Sequence, residues 1–248
     1  MYESNVDAVL KNIGPDDLVL DIGGWARCFN RANYVIDAEP YETRGWLAPA
    51  QGGEREYFTK ETWIQRDICD KQPYPFPDKF FDFVTCSQTL EDVRDPLWVS
   101  AEIIRIGKRG YVEVPSRVAE SCRGAEPGQV GLTHHRWLID IIPPDEIRFL
   151  MKYHMIHSHW RFSFPERYLR QLSEAQRNQW LFWEDHFRFF ETTIHTPEKQ
   201  AQELERYIQR VRPYPEKLLQ ADQAWRRIKF LGTRVRRRIR RAIEEARS

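Results

Sequence analysis

Neither a C-x-x-C pair nor a cluster of cysteines occurs in this chain. Its four cysteines, Cys28, Cys69, Cys86 and Cys122, stand far apart, which excludes a zinc knuckle or a disulfide framework and points to buried thiols in a reducing compartment. Long apolar runs are also missing. None approaches the roughly 18 residues that span a bilayer, and no basic-then-apolar leader opens the chain. A soluble, cytoplasmic protein is expected. Nor is there an excess of one charge: 38 Lys and Arg face 37 Asp and Glu, so a uniformly basic surface is absent and nucleic acid is not the expected partner. The balance is uneven, because residues 222–248 hold ten Lys or Arg against Asp222, Glu244 and Glu245.

The 248 residues suffice for one α/β domain with an appendage and a buried core. Short apolar runs alternate with polar connections through the first half, the signature of a parallel sheet with crossovers. Five strands are expected, at 17–22, 34–39, 63–68, 80–87 and 109–115. Asp95-Pro96 opens a helix that Gly107 stops, and its apolar residues leave little polar face. Pro143-Pro144 reads as the start of a helix through Lys152, with HMIHSHWRFSF as a strand after it that ends the same sheet. Residues 166–221 read as an aromatic-rich helical segment that covers an acceptor, with Ser173 and Gln176 spaced as a capping box. The expected division is 1–165 for the sheet domain, 166–221 for the cover and 222–248 for a basic amphipathic tail.

Parallel sheets bind ligands beyond the carboxyl ends of their strands, so the residues just after each strand carry the chemistry. Asp21, Gly23 and Gly24 follow the first strand, where glycine lets the backbone approach a ligand and a following helix end would offer amide donors. The second strand ends in Asp37 and Glu39. Either carboxylate can accept hydrogen bonds from both hydroxyls of a ribose; Asp37, at the end of the apolar run, is favoured and Glu39 stays open. The third delivers Asp67, an acceptor suited to an adenine amino group, and Ile68, which can lie against the ring. The fourth delivers Ser87 and Gln88.

In order, R-D-I at 66–68, P-F-P-D-K-F-F-D-F-V at 75–84, T-L-E-D-V at 89–93 and E-V-P at 113–115 make residues 17–117 resemble the class I S-adenosylmethionine (SAM)-dependent methyltransferases, in their small-molecule and glycan branch. The resemblance implies an α/β fold with a Rossmann-like, mostly parallel sheet flanked by helices, here with a C-terminal helical extension. It also implies SAM as cofactor. It places the methionine end of SAM at Asp21, Gly23 and Gly24, the ribose at Asp37 or Glu39, and the adenine at Asp67 and Ile68. This sequence departs from the family turn D-x-G-x-G-x-G, with Gly24 one place early and Trp25 and Arg27 where glycines are usual. Asp92 stands where the family often has His. The same missing glycines weigh against a nicotinamide-dependent oxidoreductase, which wants G-x-G-x-x-G.

Methyl transfer from a sulfonium needs alignment, and a base when the nucleophile is a hydroxyl. His134 and His135 are the base candidates, and in an extended segment only one of them would face the cleft. Glu91, Asp92 and Glu113 come next. Arg117 and Arg136 are candidates for an acidic substrate. Histidine spacing matches no zinc pattern, so no metal is expected. In the tail, Ile228, Leu231, Val235, Ile239 and Ile243 recur at three and four among arginines, which makes 224–246 a surface for a second copy or an anionic partner. The reading is a small-molecule or glycan O-methyltransferase, against a non-catalytic scaffold that uses the tail on membrane or RNA.

Overall fold

The computed structural model describes residues 1–211; the tail at 222–248 and the end of the 166–221 segment lie outside the described residues. Five strands run parallel in one sheet: β1 (Val19–Ile22), β2 (Tyr34–Asp37), β3 (Trp63–Gln65), β4 (Phe83–Ser87) and β5 (Arg109–Pro115). Their spatial order is β3-β2-β1-β4-β5, and an antiparallel strand from later in the chain, β8 (Asn178–Glu184), pairs with β5. β1 therefore lies between β2 and β4, where the crossovers diverge, and a ligand crevice opens beyond its carboxyl end.

Side chains alternate across this sheet, as the twofold period of a strand requires. Leu20, Ile22, Ile36, Val84, Cys86, Val112 and Val114 share one core with Val99, Ile103 and Ile106 of α2 (Pro96–Ile106). Val19, Val35, Phe83 and Tyr111 share the other with Val9 of α1 (Glu3–Lys11), Phe29, Phe58 and Trp63. α2 starts where the sequence signals it: Asp95 caps it by accepting from the Trp98 amide at 2.9 Å, and Pro96 fills the first turn, where no amide partner is needed. All four cysteines are free and buried. Among the described residues no helix is long and apolar enough to cross a membrane.

The second half departs from the expectation. No helix starts at Pro143-Pro144; the prolines turn a hairpin between β6 (Trp137–Ile142) and β7 (Glu146–Met151). Ile147 and Phe149 alternate with Arg148 and Leu150 there, a strand period that overrides the helix-opening proline signal. β6 and β7 do not end the main sheet either. With β9 (Arg188–Glu191) they form a three-stranded sheet that shares a core with α2 through Trp137, Ile139 and Phe149. The expected strand at 154–164 is two short 3-10 turns, His154–His157 and Trp160–Phe162.

Within 166–211 the helical reading covers α4 (Glu166–Gln171), α5 (Glu174–Arg177) and α6 (Pro197–Val211), but 178–184 and 188–191 are strands. The Ser173–Gln176 capping box is present, yet its helix lasts one turn. Beyond it Leu181 and Trp183 face the core while Trp180, Phe182 and Glu184 face outward, and this alternation joins the segment to the sheet.

Arg117, at the start of α3 (Arg117–Glu120), binds this second half together. Its side chain is buried, pairs with Asp140 of β6 at 2.9 Å and Glu203 of α6 at 3.1 Å, and lies 4.0 Å over the Tyr207 ring. Arg148 shares Asp140 at 2.5 Å. Arg117 is thus an internal tie, not a substrate contact. Arg117→Ala leaves two carboxylates short of a buried partner and should lower the unfolding free energy by about 3 kcal/mol, measured by urea denaturation. A loss under about 1 kcal/mol, the range of exposed pairs, would show that these ion pairs do not hold the second half together.

Candidate active site

The turn after β1 is built from beneath. Gly23 takes φ +76°, its amide donates to the Ile36 carbonyl at 2.9 Å, and a Cβ there would stand 2.2 Å from Thr89 Oγ1. A Cβ on Gly24 would meet Asp21 Oδ2 at 2.4 Å. Asp21 is buried under the turn, accepting from the Thr85 hydroxyl at 2.7 Å and the Phe29 amide at 3.2 Å. It shapes the turn from below. No helix follows: residues 23–33 are bends and turns, so the expected helix-end amides do not exist. At 11 residues the connection is at the lower limit for a parallel crossover.

Asp37, at the tip of β2, accepts from the Trp25 amide at 3.0 Å and from the Glu39 amide at 2.9 Å. Burial pushes its carboxyl above the ordinary range. An ionised carboxylate offers about four acceptor positions, so these two amides leave room for ribose hydroxyls. Glu39 is exposed two residues on. Asp67 takes the Cys69 amide at 2.8 Å and an ion pair from Arg94, whose guanidinium holds its carboxyl below the usual range. Ile68 is buried and its carbonyl accepts from the Tyr74 hydroxyl at 2.9 Å. Asp37 and Asp67 thus stand beyond the ends of β2 and β3, each with carboxylate acceptor positions of the kind a nucleoside could use.

Ser87 and Gln88 are occupied elsewhere. Both donate to Glu113, at 3.0 and 3.1 Å, and Gln88 reaches on to Asn178 of β8 at 3.0 Å. Glu113 is fully buried and also receives the Tyr2 amide at 2.8 Å and the Tyr111 hydroxyl. With its oxygens taken up by these donors, its place is structural.

Beyond β4, a second constellation forms. The Glu91 carbonyl accepts from the Arg136 amide at 2.7 Å and the Trp137 amide at 3.2 Å, and the Trp137 indole donates to the Val93 carbonyl at 2.8 Å. This fastens His134 and His135 beside Asp92. The histidines do not point apart: their rings stand 4.6 Å from each other, and both Nε2 atoms approach Asp92 Oδ1, at 4.0 and 3.8 Å. Residues 133 and 134 form a turn, so the alternation of an extended segment does not apply. His134 is exposed and His135 buried, with His135 Nδ1 3.0 Å from Glu120 Oε1. Glu120 in turn pairs with Lys152 at 2.8 Å. Burial would raise the Glu120 carboxyl, but His135 and Lys152 outweigh it and hold it low. Glu91 is buried and pushed well above the carboxylate range by that burial, then by Asp92. Lys152 carries no motif that singles it out in the sequence, and Thr89 stands in T-L-E-D-V without a chemical role assigned to it there; only the fold brings both to this edge.

Asp21 sets a pH signature. Burial raises its carboxyl from 3.8 to about 7, so the folded state holds a proton that the unfolded chain has released, and this contribution to stability falls as pH rises from about 4 to about 7. Asp21→Asn carries no charge to desolvate. Urea melts should show a smaller loss of stability across this window in the variant than in the parent; equal slopes would mean that Asp21 does not titrate in it.

Residues 8–123 match the family model described as methionine biosynthesis protein MetW, a little under half of the chain. No curated protein matches. Among solved structures, a SAM-dependent methyltransferase of Thermotoga maritima is 23% identical over 49% of this chain and 54% of its own, with a TM-score of 0.33. One of Mesorhizobium loti is 18% identical over 60% and 63%, with a TM-score of 0.35. A chain from the complex between the Haloferax volcanii Trm112 methyltransferase activator and a methyltransferase is 19% identical over 46% and 53%, at 0.34. The chain spans less than two thirds of each of these structures. The sheet is Rossmann-like and mostly parallel, and residues 8–123, which build its parallel strands, match the MetW family model.

Proposed function

We propose that this protein transfers a methyl group from SAM to a hydroxyl of a small-molecule or glycan acceptor. One observation carries the reading: the Gly23–Asp37 end of the crevice and the Asp92–His134–His135 group flank the same sheet edge, and Thr89 links them. Thr89 packs against Gly23, and its carbonyl accepts from the Asp92 amide at 3.1 Å. The cofactor's sulfonium supplies an already activated methyl, so the protein has to align and activate the acceptor. Asp37 accepts the ribose hydroxyls, Asp67 borders the adenine, and the acceptor's hydroxyl is activated at His134 and His135 around Asp92. Trp25, next to the glycine turn, stacks on Trp46 at 5.6 Å with planes 7° apart, and Trp46 is 71% exposed. An exposed indole beside the crevice suits a ring-shaped acceptor.

Asp37→Ala and Asp67→Ala should each weaken S-adenosylhomocysteine binding about tenfold or more in calorimetry, because each removes a charge-assisted acceptor worth about 1.5–3 kcal/mol. Parental affinity in both folded variants would refute the cofactor assignment. His135→Ala and His134→Ala test the acceptor end. At least one should lower turnover by about a hundredfold while cofactor affinity persists; full activity in both would remove the histidines from the chemistry.

A further inference from the structure

Asp92 Oδ1 is shielded from solvent and has no hydrogen-bond partner among the described residues, yet two imidazole nitrogens converge on it. At 3.8 and 4.0 Å these contacts are too long for hydrogen bonds. A buried carboxylate oxygen left without a donor is costly. The three donor atoms lie within 4.8 Å of one another, and atoms that share one tetrahedral ion through bonds of about 2.0–2.2 Å stand about 3.4 Å apart. Rotation of the exposed His134 ring together with a small shift of the Asp92 carboxylate closes the difference. We propose that Asp92, His134 and His135 hold one divalent transition-metal ion.

The surroundings are arranged as a metal site requires. His135 presents Nε2 inward because Nδ1 faces Glu120, and Glu120 is anchored by Lys152. Such a carboxylate behind a ligating imidazole fixes the ring and raises its basicity. The turn bearing both histidines is tied to Glu91 by two amides, so the site exists before the ion arrives. Two imidazoles with one carboxylate select zinc, manganese, iron or cobalt over calcium and magnesium, which prefer oxygen donors throughout. Sequence spacing does not reveal it, because Asp92 is brought to the histidine pair only by the fold.

The inference rests on the transferase reading for its purpose. Three protein ligands leave positions open on the side of exposed His134, and an acceptor oxygen bound there would lose its proton to water more readily. The ion, and not direct proton abstraction by an imidazole, would then activate the hydroxyl.

The test uses the full chain, stripped with a chelator and titrated with Zn²⁺ by calorimetry and with Co²⁺ by visible absorption. Saturation near a single equivalent is expected, with affinity reduced about tenfold or more in Asp92→Asn, His135→Ala and His134→Ala. His134 is exposed, so its variant stays informative even if His135→Ala fails to fold. Absence of saturable binding, or binding unchanged in His134→Ala and Asp92→Asn, overturns the site. S-adenosylhomocysteine titrated into the same samples separates the two claims. Cofactor binding without metal binding sinks this inference alone, whereas metal binding without cofactor binding sustains it and sinks the transferase reading.

Discussion

The pairing of β1 with β2 on one side and β4 on the other is the constraint on which the site depends. Register sets Asp21 beside Val35 and Thr85, and Ile22 beside Ile36 and Cys86, so three strand ends finish at one level. Where the chain leaves them, the connections must part, and the crevice between them is a consequence of strand order. Gly23 then does what no other residue could at φ +76° with Thr89 against it: it brings the turn after β1 into contact with the loop after β4. In the proposed reading, the cofactor side and the acceptor side of the site meet through that contact.

Burial of acids runs through this edge. Asp21, Glu91 and Glu113 are each nearly or wholly removed from solvent, but their surroundings differ. Glu113 is supplied with donors from Tyr2 just ahead of α1, from β4 and from β5. Asp21 has two, and Glu91 Oε2 none among the described residues. The same desolvation that lifts the Asp21 and Glu91 carboxyls is overcome at Glu120 by an imidazole and an ammonium. Charge at this edge is thus sorted by partners, and the ionised carboxylate sits behind His135, where a ring must be held in place.

How much of this could be read from residues alone varied with the kind of signal. The five parallel strands were legible because buried strands make short apolar runs, and α2 because Asp95-Pro96 and Gly107 bracket it. Asp37 and Asp67 stand at strand ends, where the strand pattern places them. That Asp21 lies buried beneath the turn was not legible, because sequence cannot distinguish a carboxylate at a crevice from one beneath it. The antiparallel half was obscured by local cues that tertiary pairing overrode. Pro143-Pro144 and the Ser173–Gln176 box both mark helix starts, yet β6, β7 and β8 find partners that a longer helix would forfeit. The convergence of Asp92 on His134 and His135 joins loops about forty residues apart in sequence, and nothing local announces it.

The most direct test of the account is a crystal structure of the protein with S-adenosylhomocysteine. The account predicts the ribose within hydrogen-bond distance of Asp37, the adenine beside Asp67, and the sulfur directed past Thr89 toward Asp92 and His135. A nucleoside bound away from the ends of β1 and β2, or one whose sulfur faces away from Asp92, would contradict it.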